Sequence, residues 1–180
     1  MNLDNVRNDI NKIDNDMKKL FTDRLQCSLR VAEVKLENND TVYKPAREKA
    51  ICESFVDDTK YLTFIKKIIQ ISRKYQYEIF NAKDALKEEF YNSLDESNKK
   101  ALTSGGILSL KLTADRESAK GLNAHDILSI IADSALEIKK ICASEDMVDV
   151  SLVVGTDETS CQEALILAYM LYVETTEGIC

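Results

Sequence analysis

The stretch that most constrains this chain runs from Leu3 to Lys35, LDNVRNDINKIDNDMKKLFTDRLQCSLRVAEVK, without a proline or glycine. Val6, Ile10, Ile13, Met17, Leu20, Cys27, Val31 and Val34 recur on an alternating 4-3 spacing, which is the period of one helical face. A single helix over this stretch would be about 50 Å long, more than a small globule can cover. A seam of that length asks for a partner helix. One member of the series, between Leu20 and Cys27, is Arg24. Burying a lone cation costs several kcal/mol unless an anion compensates it, and the seam offers no acid beside Arg24. An anionic ligand is the economical partner.

The same design recurs downstream. Pro45, the only proline, suits the first turn of a second helix that runs through Ile51, Cys52 and Phe55 to about Val56. Asp57, Asp58 and Thr59 are capping residues for a third helix over about Lys60–Phe80. Its seam starts apolar with Leu62, Ile65 and Ile69 and turns polar at Ser72 and Gln76, one turn apart on the same face. Arg24 and Lys35 lie three turns apart, about 16 Å along the axis, so both can lean toward one small ligand. Arg7 is about 34 Å from their midpoint and can serve such a pocket only from the antiparallel helix of a two-fold partner.

Composition narrows the classes. The formal net charge of −7 argues against general nucleic-acid or anionic-membrane binding, while leaving room for a local cationic pocket. There is no apolar run of membrane-spanning length and no apolar core of a signal peptide in MNLDNVRNDI, so a cytoplasmic location is expected. The five cysteines, Cys27, Cys52, Cys142, Cys161 and Cys180, are scattered and form no C-x-x-C pair. They read as reduced, mostly buried thiols, with no metal site and no cofactor implied.

Several residue groups now carry a resemblance: Val6-Arg7, Ile10, Ile13-Asp14, Leu20-Phe21, Asp23-Arg24, Val31-Ala32 and Val34-Lys35; Val42 to Glu48; and Ile68 to Gln76. Over about residues 3–80 the chain resembles the AroQ-type chorismate mutases. The resemblance implies an all-helical, intertwined homodimer that rearranges chorismate to prephenate, a unimolecular pericyclic reaction of aromatic amino acid biosynthesis that needs no cofactor. It implies that Arg24, with Arg7 contributed across the interface, binds the two carboxylates. Lys35 and Gln76 would donate to the ether oxygen, Glu48 would accept from the ring hydroxyl, and Arg47 and Ser72 would line the carboxylate end. Lys44 stands where several family members carry an aspartate near the ring hydroxyl, so it would place a further cation beside the substrate. Two other functions are compatible: an isochorismate-pyruvate lyase on the same fold, and a non-catalytic helical binding or allosteric module.

Beyond residue 80 the pattern changes. Residues 81–104 read as a charged helical connector broken near Asp95 and ended by Gly105-Gly106. Ile107–Thr113 alternates as a strand. Asn123 caps a helix with an apolar face of Ile127, Ile130, Ile131, Ala135, Ile138 and Ile141. Val150, Leu152 and Val154 form a second strand, and Thr159 or Ser160 opens a last helix with Ala164, Leu165, Ala168, Leu171 and Tyr172 inward. The expected class is α+β: a three-helix unit over residues 1–80, the connector, and a small α/β unit of order β-α-β-α over 105–180. Gly121-Leu122-Asn123-Ala124-His125 resembles the HPr phosphocarrier signature, with Asn123 in place of its histidine. A regulatory or assembly role, with an aromatic amino acid as effector, is the expectation for this unit.

Overall fold

The computed structural model describes residues 2–86, 88–114 and 122–175; Gly121 and Cys180, singled out above, lie outside them. The first helix, α1, spans Leu3–Glu37, with the Asn2 side chain accepting from the Asp4 amide at its start. After a turn through Asn39, which adopts positive φ (52°), helix α2 spans Pro45–Glu53 with the proline in its first turn. Asp58 accepts from the Tyr61 amide and opens α3, Thr59–Ala82. α1 packs against α3 through its C-terminal half, from about Phe21 onward, while residues 2–20 are all exposed.

The face of α1 that meets α3 is not the 4-3 seam. Ser28 and Ala32 are buried, whereas Val6, Ile10, Ile13, Met17, Leu20, Val31 and Val34 are between 37% and 69% exposed. Small residues let the two backbones approach, and they left no large apolar signal to read. The apolar stripe is left over, pointing away from the chain's own core.

Two short helices follow, α4 at Glu88–Ser93 and α5 at Glu96–Ser104, with Asp95 capping α5 at the expected break. Gly105 ends α5 at φ +78°, and a Cβ there would lie 2.7 Å from the Gly155 carbonyl oxygen, so this crossing of two turns requires glycine. Strand β1, Gly106–Thr113, then leads to α6, Ala124–Ala132.

Here the sequence expectation needs correction. The helix begun at Asn123 stops at Ala132, and Glu137–Ala143 forms an additional strand, β2. The unit is therefore β-α-β-β-α. The cause is a register shift between Ile138 and Lys140: Ile138 pairs with Leu152 and Ile141 with Val150, on one face. An extra residue in the strand puts two same-face isoleucines three apart, a spacing that mimics a helix. Strand β3, Met147–Val154, lies between β1 and β2, antiparallel to both.

The last helix, α7, spans Glu158–Glu174, and its cap is Asp157, which accepts from the Ser160 amide at 2.9 Å, rather than Thr159 or Ser160. Leu108, Leu110, Leu112, Val148, Val150, Leu152 and Val154 form the buried sheet face, covered by α5, α6 and α7. α7 also packs against α3. It is buried nearly all round (Ala164, Ile166 to Leu171 and Glu174), because the sheet covers one side and the N-terminal helices the other. A ring cluster of Tyr77, Phe90, Tyr169 and Tyr172 knits this junction, with centroids 5.2–5.8 Å apart. Aromatic pairs at such separations add to the burial they already provide.

The four described cysteines are free, and none is buried, contrary to the expectation of mostly buried thiols: Cys27 and Cys142 are exposed, Cys52 and Cys161 half-buried. Cys142 lies on the edge strand β2, and Cys161, at the start of α7, packs against the rim of the core. Among the described residues no helix is long and apolar enough to cross a membrane.

Candidate active site

Polar side chains of α1 and α3 meet. Where α1 and α3 cross, the Arg24 guanidinium donates to the Ser72 hydroxyl and to the Ile68 carbonyl at 3.3 Å. Further along the same contact, Lys35 Nζ donates to Gln76 Oε1 at 3.0 Å and to the Val42 carbonyl at 2.6 Å. Gln76 Nε2 donates in turn to the Ser72 carbonyl at 3.2 Å. Ser72 and Gln76 are buried, Arg24 and Lys35 half-buried. These are four of the residues singled out in the sequence, in one connected row.

Both cations are desolvated without a neutralising partner. Burial pushes the Arg24 and Lys35 pKa values down, with Glu48 pulling the other way for both and Asp40 for Lys35. Among the described residues neither forms an ion pair. Cations held this way lower the cost of bringing in an anion.

Glu48 lies on the first turn of α2, near the row, and burial pushes its carboxyl up against the opposing pull of Arg73, Lys35 and Arg24. Its direct partner is Arg73, on which it accepts an ion-paired hydrogen bond through Oε2. Arg73 was not recognised in the sequence. It sits between Ile69 and Tyr77 on a second buried stripe of α3, and that setting was the available signal: another cation on an apolar face. Arg73 also pairs with Glu174 of α7, Nη2 to Oε2 at 3.0 Å, and its guanidinium stands 5.2 Å from the centroid of the Tyr43 ring.

Three expected residues make no hydrogen bond to the row, although the charges of Lys44 and Arg47 add to the lowering of the Lys35 pKa. Arg7 is exposed near the start of α1, 3.7 Å from Asp4. Arg47 is exposed on α2. Lys44 pairs with Asp40 in the turn between α1 and α2. His125 is an exposed first-turn residue of α6, 3.7 Å from Asp126. Among the described residues no group of three or more side chains of the metal-binding types is gathered.

An arrangement of two unneutralised cations, an amide, a hydroxyl and a neighbouring carboxylate can hold a small dianion and present donors to an oxygen that gains charge. Comparison with curated proteins and with solved structures returned no match. Residues 6–77, which carry Arg24, Lys35, Glu48, Ser72 and Gln76, match the family described as chorismate mutase type II, and the C-terminal region matches no family.

Proposed function

We propose that the protein is a chorismate mutase, an isomerase converting chorismate to prephenate, with residues 1–80 as the catalytic unit and residues 105–180 as an appended α/β unit. The observation that carries this reading is the row Arg24–Ser72 and Lys35–Gln76: two desolvated cations with no acid of their own, inside a segment of matching family. The reaction is unimolecular, so catalysis consists of holding the compact conformer and stabilising the charge that grows on the ether oxygen as the C–O bond breaks.

Arg24 binds one carboxylate through the part of its fork not used on Ser72 and Ile68. Lys35 has three donors, two of them occupied by Val42 and Gln76, and the third is available for the ether oxygen or the side-chain carboxylate. Gln76 keeps one N–H beyond the one given to Ser72, and directs it at the same oxygen. Glu48 accepts from the ring hydroxyl. The second carboxylate is met by the partner subunit's Arg7, which the exposed seam of α1 brings across in a two-fold dimer; the apolar stripe Val6 to Leu20 supports that pairing.

Incubating the purified protein with chorismate and following prephenate tests this directly. Prephenate formation that disappears in Arg24→Ala is the expected result. Pyruvate from isochorismate without prephenate assigns a lyase instead, and no turnover of either substrate identifies a non-catalytic helical module.

A further inference from the structure

Arg73 and Glu174 are the deepest charged pair among the described residues, at 7% and 1% exposure. Arg73 is held by two acids, Glu48 of α2 and Glu174 in the last turn of α7. Two carboxylates share one guanidinium in an apolar enclosure, an arrangement costly to build and not required for packing, since α7 is otherwise covered by apolar contacts. Burial pushes the Glu174 carboxyl up to about 7, with Arg73 opposing, and the neighbouring groups that act on it are Arg73, Glu48 and Tyr77.

The geometry of the fork explains what such a pair can do. Arg73 donates Nη1 to Glu48 Oε2, while its Nη2 forms an ion pair with Glu174 Oε2 at 3.0 Å. A guanidinium facing a single carboxylate tends to chelate both of its oxygens. Anchored by Glu174, the fork is restricted to one oxygen of Glu48, and among the described residues Glu48 Oε1 makes no hydrogen bond. We infer that Glu174 is a positioning residue: by holding Arg73 it keeps one oxygen of Glu48 open to accept a hydroxyl of the substrate. The role of Glu48 rests on the mutase reading above. Through this contact the α/β unit contributes to a site built otherwise from the N-terminal helices.

The test is Glu174→Gln in the full chain, with Arg73→Lys and Glu48→Gln as companions. With the fork released, Arg73 closes on both oxygens of Glu48 and the hydroxyl loses its acceptor in ground state and transition state alike. The expected result is a KM for chorismate raised about five- to tenfold with kcat within about twofold, the pattern of lost uniform binding. A fall in kcat at unchanged KM reports a smaller folded fraction and overturns the positioning role, as does an unchanged KM. A second readout needs no turnover. Carboxyl carbon NMR, assigned by loss of the signal in Glu48→Gln, follows the Glu48 titration. It should move down in pH in Glu174→Gln, and an unmoved Glu48 titration overturns the inference. Wild-type protein without mutase activity overturns the functional reading instead, and the Glu48 titration then decides alone whether Glu174 governs the Arg73 grip.

Discussion

Lys35 of α1 and Gln76 of α3, 41 residues apart in sequence, meet at 3.0 Å with the lysine amine donating to the amide oxygen. The contact orients both groups. Taking the amide oxygen turns the Gln76 NH2 toward the Ser72 carbonyl, to which it donates at 3.2 Å. Neither neutralises the other. Among the described residues Lys35 forms no ion pair.

Replacing Lys35 by methionine should therefore separate activity from stability. Methionine fills similar volume without a desolvated charge, so thermal stability should hold or rise, while mutase activity should fall by at least about 10²-fold. Arg24→Met should behave alike. Circular dichroism melts beside prephenate assays check both, and full activity in either variant would remove the site assignment.

The lowered pKa of Lys35 sets the sign of an alkaline limb. Burial disfavours the charged form, so the free protein loses the ammonium at a lower pH than an exposed lysine would, whose ordinary value is 10.5. kcat/KM should decline as pH rises toward that value. In Lys35→Arg, whatever its residual activity, the decline should shift to higher pH, because arginine holds its proton above about 12.

Glu174 gives a stability prediction of opposite sense. Its folded value of about 7 is raised above the ordinary 4.5, so the contribution of its protonated form is fully present below pH 4.5 and is lost as pH rises to 7. Relative to Glu174→Gln, the wild type should lose on the order of 3 kcal/mol of unfolding free energy across that window. Urea midpoints of the two proteins at pH 4.5, 6 and 8 measure it. Parallel curves would show that the carboxyl does not titrate differently on folding.

Arg7 provides a test by complementation. Arg7→Ala and Arg24→Ala should each be inactive as homodimers. After unfolding and refolding an equimolar mixture, half the dimers are mixed, and each carries one intact site. About a quarter of wild-type activity should return. No recovery would place Arg7 outside the site or the chain outside a two-fold dimer, and light scattering of Ile13→Glu, which puts a charge on the exposed seam, distinguishes these.

Phe90 is fully buried against Tyr169 and Tyr172, where the α4 region closes on α7. Phe90→Ala should destabilise the chain by about 3–5 kcal/mol through lost burial and the cavity left behind. Denaturant unfolding checks the value.

The three N-terminal helices were legible from sequence because each signal is local. Unbroken period gave the helices, Pro45 and Asp58 gave two starts, and an arginine in an apolar series stands out against its neighbours. That Ser72 and Gln76 belong with Arg24 and Lys35 was implied by the family resemblance, since period alone does not say which face of α1 meets α3. Strand β2 was not legible, since its register shift gives Ile138 and Ile141 a helical spacing that only pairing with β3 resolves. α7 was half-read for a related reason: a helix covered on both sides loses the one-faced pattern that marks inward residues. Arg73 and Glu174 lie 101 positions apart on different elements, and nothing local ties them. The sequence alone determined the three N-terminal helices and set Arg24 and Ser72 within otherwise apolar series, because those are matters of local period and charge. Only the tertiary structure decided which acid each cation meets, because that depends on where α7 comes to rest against α3.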